Sequence, residues 1–231
     1  MVYAIQIKKE TAMNSILKKL IWPIFLIPGA YLALIWNKLP EKVAVHFDLN
    51  GNPDRFGNKS ELLVSAIILM AVNLLVFFIL TNIYRIDPKK YAAENKDRLV
   101  KIAFAVSLFL SGILCMIIHS SMSGGSRFDV KLIFAGTGLL FAVIGNYLPN
   151  LKPNYFAGLR LPWTLENEDN WRKTHQLAGK LWFAGGLFLT VVCLFLPPAA
   201  AIVVFFTVMM TITIIPCVYS FRLYKKMKKT T

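Results

Sequence analysis

Six apolar stretches, none with an internal Asp, Glu, Lys or Arg, constrain this chain more than any other feature: Leu20 to Trp36, Leu62 to Tyr84, Ile102 to Ile118, Leu132 to Leu148, Leu181 to Leu196 and Ala199 to Phe221. Each has 16 to 23 residues. A helix rises about 1.5 Å per residue, so the longer stretches cross a hydrocarbon core of roughly 30 Å, and the shortest, at about 24 Å, recruits flanking residues or thins the bilayer. A buried bundle in water would not hold so many uninterrupted runs. Charged residues make up only 16% of the 231, against about 25% in soluble domains. The expected fold is therefore an all-α integral membrane protein with about six transmembrane helices.

Basic residues set the expected orientation. Four Lys precede the first stretch, six Lys and Arg lie in the second loop, five in the fourth and five in the tail, whereas the first, third and fifth loops hold four, two and none. Cytoplasmic flanks retain positive charge. With 20 of 26 basic residues on one side, both termini and the even-numbered loops are expected in the cytoplasm. The segments are then a basic amino-terminal part (1–19), a first helical pair (20–84) with an extracellular loop (37–61), a second pair (85–148), a cytoplasmic loop and helix (149–180), a third pair (181–221) and a basic tail (222–231). A net charge of +14 would suggest nucleic acid in a soluble protein. Here it fits membrane lipids with anionic headgroups, and no direct nucleic-acid binding is expected.

The first stretch follows lysines as a signal peptide would, but no small-residue cleavage pattern follows Trp36, so it reads as an anchor. Met13 opens a basic-then-apolar start, which makes residues 1–12 an upstream extension expected to be disordered. Cys115, Cys193 and Cys217 lie in apolar stretches without paired spacing, and read as buried thiols rather than a disulfide frame or zinc site. No cofactor is expected.

In the first outer loop, Val43, Val45 and Phe47 alternate with Ala44, His46 and Asp48, and Asn50-Gly51 is a type I′ turn signal, so a short hairpin is expected. Asp48, Asn50, Asn52 and Asp54 resemble the start of a calcium loop, but Pro53 stands where that loop needs Gly and Lys59 where it needs Glu. A turn rich in Asn and Asp is the better reading. His46 is the loop's one group that titrates near neutral pH, with Asp48 and Asp54 as candidate partners. In the second loop, Asp87-Pro88 reads as an N-cap and first helical position, with the helix running into the third span.

The fourth loop is the most unusual stretch. Pro149, Pro153 and Pro162 forbid a continuous helix through its first half, whereas Asn167-Glu168-Asp169 is a good helix start. Trp171, Thr174, His175 and Ala178 then share one helix face, which should feed into the fifth span. Two readings stand together. Trp163, Trp171 and Arg160 suit interfacial anchors, and the same loop suits a docking surface in which Arg160 grips a carboxylate beside Trp171 or His175.

The run Gly145, Pro153-Asn154-Tyr155-Phe156, Gly158-Leu159-Arg160, Pro162-Trp163-Thr164-Leu165, Asn167, Trp171, Thr174-His175, Gly179-Lys180 and Gly185-Gly186 resembles the signature of the SdpI family of bacterial membrane proteins. Leu39-Pro40, His46-Phe47, Gly51, Asp54 and Gly57 resemble the extracellular element that often accompanies it. The resemblance implies a multi-pass immunity protein of the bacterial cell membrane that protects against a secreted, membrane-active peptide toxin. It also implies signalling to a cytosolic transcriptional repressor. On this reading Pro40, His46, Gly51 and Asp54 belong to the extracellular site, and Asn154, Gly158, Arg160, Pro162, Trp163, Thr164, Trp171, Thr174 and His175 to the cytoplasmic one.

A small transporter or exporter is the alternative, although proton-coupled carriers place Asp or Glu inside a span and these spans offer only neutral groups such as Asn73, Ser107 and Ser111. An intramembrane enzyme would need acid-base chemistry from His175 with Glu168 or Asp169. No Gly-x-Ser-x-Gly or His-Glu-x-x-His run accompanies them, so no enzyme is expected.

Overall fold

In the computed structural model, which describes residues 2–122 and 128–228, the chain is largely helical. Helix α1 (Val2–Ile35) leads into an antiparallel hairpin of β1 (Lys42–Phe47) and β2 (Pro53–Asn58), followed by α2 (Lys59–Asn82), α3 (Lys96–Met122), α4 (Val130–Tyr147), the short α5 (Pro162–Glu166), α6 (Glu168–Phe195) and α7 (Pro198–Lys228). All but α5 are long and apolar enough to cross a membrane, which gives six candidate spans among the described residues. The fold is that of an all-α multi-pass membrane protein carrying one small hairpin. Large apolar side chains such as Leu34 and Phe195, each 80% exposed, face outward because lipid takes the place of water around them.

Local structure departs from expectation at three places. The amino-terminal segment expected to be disordered is helical from Val2, and no Gly or Pro interrupts residues 2–22. Asn50-Gly51 does not form a type I′ turn, which needs positive φ at both residues, because only Gly51 has it (φ 81°). Instead, the Asp48 carboxylate accepts the amides of Asn50 and Asn52, both at 2.8 Å, and builds a wider loop. Asp87 does not cap a helix either. Its carboxylate takes the Lys89 amide at 2.9 Å and the Tyr155 amide at 3.0 Å, so the chain stays irregular until a 3-10 turn at Ala92–Asn95, and α3 starts at Lys96.

The chain packs as two compact units, residues 1–79 with 103–133 and residues 80–102 with 134–231. In the first, Leu32, Ile35, Leu39, Val43, Leu62, Ala66, Leu114 and Ile118 form one apolar cluster, so the hairpin is rooted in the helices beneath it. Ser121 donates its hydroxyl to the Ala44 carbonyl (2.8 Å), and the Phe128 amide donates to the Gly51 carbonyl (2.7 Å). The first and third connections therefore meet at one end. Deeper in this unit the Asn73 amide donates to the Ser107 carbonyl (3.2 Å) and the Ser111 hydroxyl (3.1 Å), a polar tie between α2 and α3.

In the second unit α4 and α6 approach through small residues. Ala135, Gly138, Ala142 and Gly145 line the buried side of α4. A Cβ at Gly138 would meet the Gly186 carbonyl and the Thr190 amide, and one at Gly186 would meet the Ala142 amide and the Gly138 carbonyl. Backbone-to-backbone packing of this kind lets transmembrane helices associate where lipid supplies no hydrophobic drive. Helix α7 joins through Leu189 and Cys193 of α6 against Ala201 and Phe205.

Candidate functional site

Between α4 and α6 the chain runs for 11 residues, Leu151 to Leu161, without regular structure. Its buried backbone groups cannot pair with one another and must find side chains. Asn154, 3% exposed, supplies four hydrogen bonds. Its Oδ1 accepts from the amides of Phe156 (2.9 Å) and Ala157 (2.6 Å), and its Nδ2 donates to the carbonyls of Lys152 (2.9 Å) and Ala157 (3.1 Å). Asn95 braces the same turn from the preceding connection, accepting the Lys152 amide at 2.9 Å and donating to its carbonyl at 3.1 Å. Both side chains act as substitute peptide groups.

The segment then lies on α6. Asn167 caps that helix by accepting the Asn170 amide at 2.8 Å, as the sequence suggested, and α6 runs unbroken into the apolar stretch at Leu181. Trp171, Thr174, His175 and Ala178 do share a face, and all are at most 1% exposed. Trp171 donates its indole N–H to the Leu151 carbonyl (2.8 Å) and stacks on His175 with ring centres 4.0 Å apart. The Leu159 amide can only donate, so His175 Nε2 accepts from it at 3.0 Å; the Trp171 carbonyl can only accept, so Nδ1 carries the hydrogen at 2.8 Å. The ring is thereby fixed as one neutral tautomer. Gly158, at φ 99°, passes so close that any Cβ would strike His175 Nε2.

The carboxyl end of the loop is held as firmly. The Thr164 hydroxyl, fully buried, accepts the Leu161 amide (3.0 Å) and donates to the Leu159 carbonyl (2.8 Å), starting α5 behind Pro162. Trp163 donates to the Ser220 hydroxyl (3.0 Å) and packs its ring 5.1 Å from Phe221. Asn170 donates to the Ser220 carbonyl (3.0 Å) and accepts the Thr174 hydroxyl (3.0 Å). Lys89 reaches the Leu165 carbonyl (2.8 Å). The second connection, the fourth and the end of α7 thus converge at one end of this unit.

This geometry separates the residues read from the sequence into two groups. Asn154, Thr164, Trp171, Thr174 and His175 are buried and committed to holding the loop, so they present no docking face. A shared helix face was legible, but periodicity does not say whether it meets solvent or protein. Arg160, Pro162 and Gly158 are exposed and Trp163 is half-buried against α7. Arg160 donates Nη1 to the Tyr155 carbonyl (2.8 Å), with no ion pair to a carboxylate among the described residues. Asn95, Asn170 and Ser220 escaped the sequence reading, and Asp87 was read only as a helix cap, because their partners lie at long sequence separation or in backbone amides.

At the other candidate surface, His46 Nδ1 and Asp54 Oδ1 are 2.6 Å apart and exposed, Pro40 is half-buried, and Gly51 is buried with its Cβ position blocked by the Phe128 carbonyl. The Asp48 carboxylate holds the Asn50 and Asn52 amides and so shapes the loop between the strands. Close by, Tyr31 and His119 are hydrogen-bonded at 2.9 Å and border a cavity of about 450 Å³ with Cys115, Met116, Ser120, Asp129 and Leu132.

Comparison with known proteins covers both surfaces. Residues 150–220 match the model of the SdpI/YfhL protein family, and residues 24–71 match a domain of unknown function, DUF1648. The chain is 24% identical over 217 residues to the Immunity protein SdpI of Bacillus subtilis (strain 168), an alignment covering 91% of this chain and 98% of that protein. It is 31% identical over 154 residues to an uncharacterized protein of Archaeoglobus fulgidus, covering 56% of this chain and 80% of the relative. No solved structure matches. Its six apolar helices are those of a multi-pass membrane protein, and the fourth loop with the two helices that follow it, residues 150–220, is the segment that matches the SdpI/YfhL protein family.

Proposed function

We propose that this protein is a non-enzymatic immunity factor that protects its cell against a secreted, membrane-active peptide toxin. The observation that carries the reading is similarity to an immunity protein along nearly the whole of both chains, hairpin and fourth loop included. The hairpin with the start of α4 offers the outer surface that meets the peptide. The fourth loop offers the inner one, where Arg160 and Pro162 are exposed to a cytosolic repressor beside the buried side chains that hold the loop.

The direct test is survival. A toxin-sensitive bacterium expressing the chain is expected to outlive its empty-vector control when challenged with an SdpC-like peptide. Equal killing across several related toxins, with the protein inserted at normal level, would remove the immunity reading and leave the transporter. A second arm examines signalling. Arg160→Lys keeps the charge but loses the planar fork, so repressor recruitment should drop by about tenfold if a carboxylate docks there, and full recruitment would exclude that contact.

The proposal includes an orientation with both termini inside. It is supported by the uneven distribution of Lys and Arg and by the gathering of the two basic loops and the end of α7 at one end of the second unit. In intact cells, a membrane-impermeant thiol reagent is expected to label Leu49→Cys, at a residue 72% exposed in the hairpin loop, but not Glu166→Cys. The reverse pattern would invert the topology.

A further inference from the structure

In the second unit a cleft of about 440 Å³ opens between the turn before α3, the end of α4 and the first turns of α6. Arg98, Lys152 and Arg172 line it together with Glu168 and Asp169, and Tyr91 supplies aromatic surface. These charges are unequally committed. Asp169 is held at 2.6 Å by both Arg172 and Lys173, so its charge is already matched. Arg98 uses Nη1 on the Glu94 carbonyl (2.7 Å), which leaves the other guanidinium N–H donors for a ligand. Lys152 Nζ lies over the Tyr91 ring at 5.9 Å, a contact that leaves its hydrogens available. Glu168 is exposed and forms no ion pair among the described residues. Two cations and one carboxylate remain for an occupant.

The height of the cleft narrows the choice. Arg98 precedes the apolar stretch at Ile102 by four residues, and Gln176, also in the wall, precedes the stretch at Leu181 by five. At about 1.5 Å per residue these positions stand roughly 6 to 8 Å beyond the ends of the apolar stretches, where hydrocarbon gives way to lipid headgroups. An anionic headgroup would satisfy the cations and leave Glu168 facing like charge. A choline headgroup carries no N–H to donate to that carboxylate. We propose that the cleft binds the headgroup of a phospholipid bearing a phosphodiester and a primary ammonium, with Arg98 and Lys152 on the phosphate and Glu168 on the ammonium. The inference does not depend on the immunity reading or on the orientation, since it uses only the chemistry of this cleft and its distance from the apolar boundary.

Native mass spectrometry of the full-length protein in detergent tests it, by titration with dioleoyl phosphatidylethanolamine, phosphatidylglycerol and phosphatidylcholine. Half-occupancy is expected at about tenfold lower concentration for the ethanolamine lipid than for the choline lipid, a difference typical of charge-assisted hydrogen bonds. Arg98→Gln with Lys152→Gln should weaken the ethanolamine and glycerol lipids together. Glu168→Gln, a conservative change at an exposed side chain, should strengthen the glycerol lipid, whose charge no longer faces a carboxylate, and erase the preference for ethanolamine over it. Lys225→Gln with Lys228→Gln removes the same charge outside the cleft and should change neither. Free glycerophosphoethanolamine should bind at least tenfold more weakly than the lipid; binding as tight would overturn the lipid source in favour of a soluble phosphodiester. Equal retention of all three lipids, or an ethanolamine preference untouched by Glu168→Gln, would overturn the proposal.

Discussion

Replacing Asn154 with leucine is expected to release the Leu151–Leu161 segment from α6 and lower stability by about 3 to 5 kcal/mol. The size follows from what the substitution strands. Three backbone groups, the Phe156 and Ala157 amides and the Ala157 carbonyl, lose their partner at once while the Lys152 carbonyl keeps Asn95, and each buried group left unpaired costs about 1 to 3 kcal/mol, reduced where water can reach it. Hydrogen exchange should show the amides of Phe156 and Ala157 losing protection first, together with a drop in melting temperature in detergent. Unchanged exchange at those two amides would show that the loop holds itself without the side chain.

The second large effect is expected inside the membrane. Gly186→Ala places a methyl group against the Ala142 amide and the Gly138 carbonyl, neither of which can move without displacing α4. Overpacking of this kind costs about 1 to 3 kcal/mol and more where backbone is the obstacle, so a loss of about 3 kcal/mol is expected. Gly112→Ala is the matched control. Nothing stands within 4 Å of its Cβ position in α3, and alanine is the better helix former by about 1 kcal/mol, so this variant should melt at or slightly above the wild-type temperature. Equal melting temperatures for the two variants would show that the close approach of α4 and α6 contributes nothing.

The six spans were legible because lipid imposes a requirement that composition alone can meet: long runs without charge. The hairpin was legible for a related reason, the alternation of Val43, Val45 and Phe47. What could not be read were the polar groups that act at a distance. Asp87-Pro88 has the chemistry of a helix start, yet the Asp87 carboxylate is drawn off by an amide 68 residues away. Asn50-Gly51 has the chemistry of a tight turn, yet Asp48 gathers two amides and widens it. In the fourth loop the burial of Trp171 and His175 was hidden for the same reason. Trp171 and His175 looked like recognition residues because they combine aromatic surface with hydrogen-bonding nitrogens, and the fold uses both properties internally to bind its own backbone.

The junction of Gly51 and Phe128 has a mechanical consequence. The Phe128 amide bonds the Gly51 carbonyl, the Phe47 and Phe128 rings lie 5.2 Å apart, and Ser121 holds the Ala44 carbonyl, so the hairpin is stapled to the last turn of α3 and to the residues leading into α4. A hairpin tied at its base alone would swing like a flap and dissipate any push from outside. This one behaves as a lever with its load already attached. A ligand that tilts it by a few ångströms must pull the ends of two helices in the same stroke or break the staple.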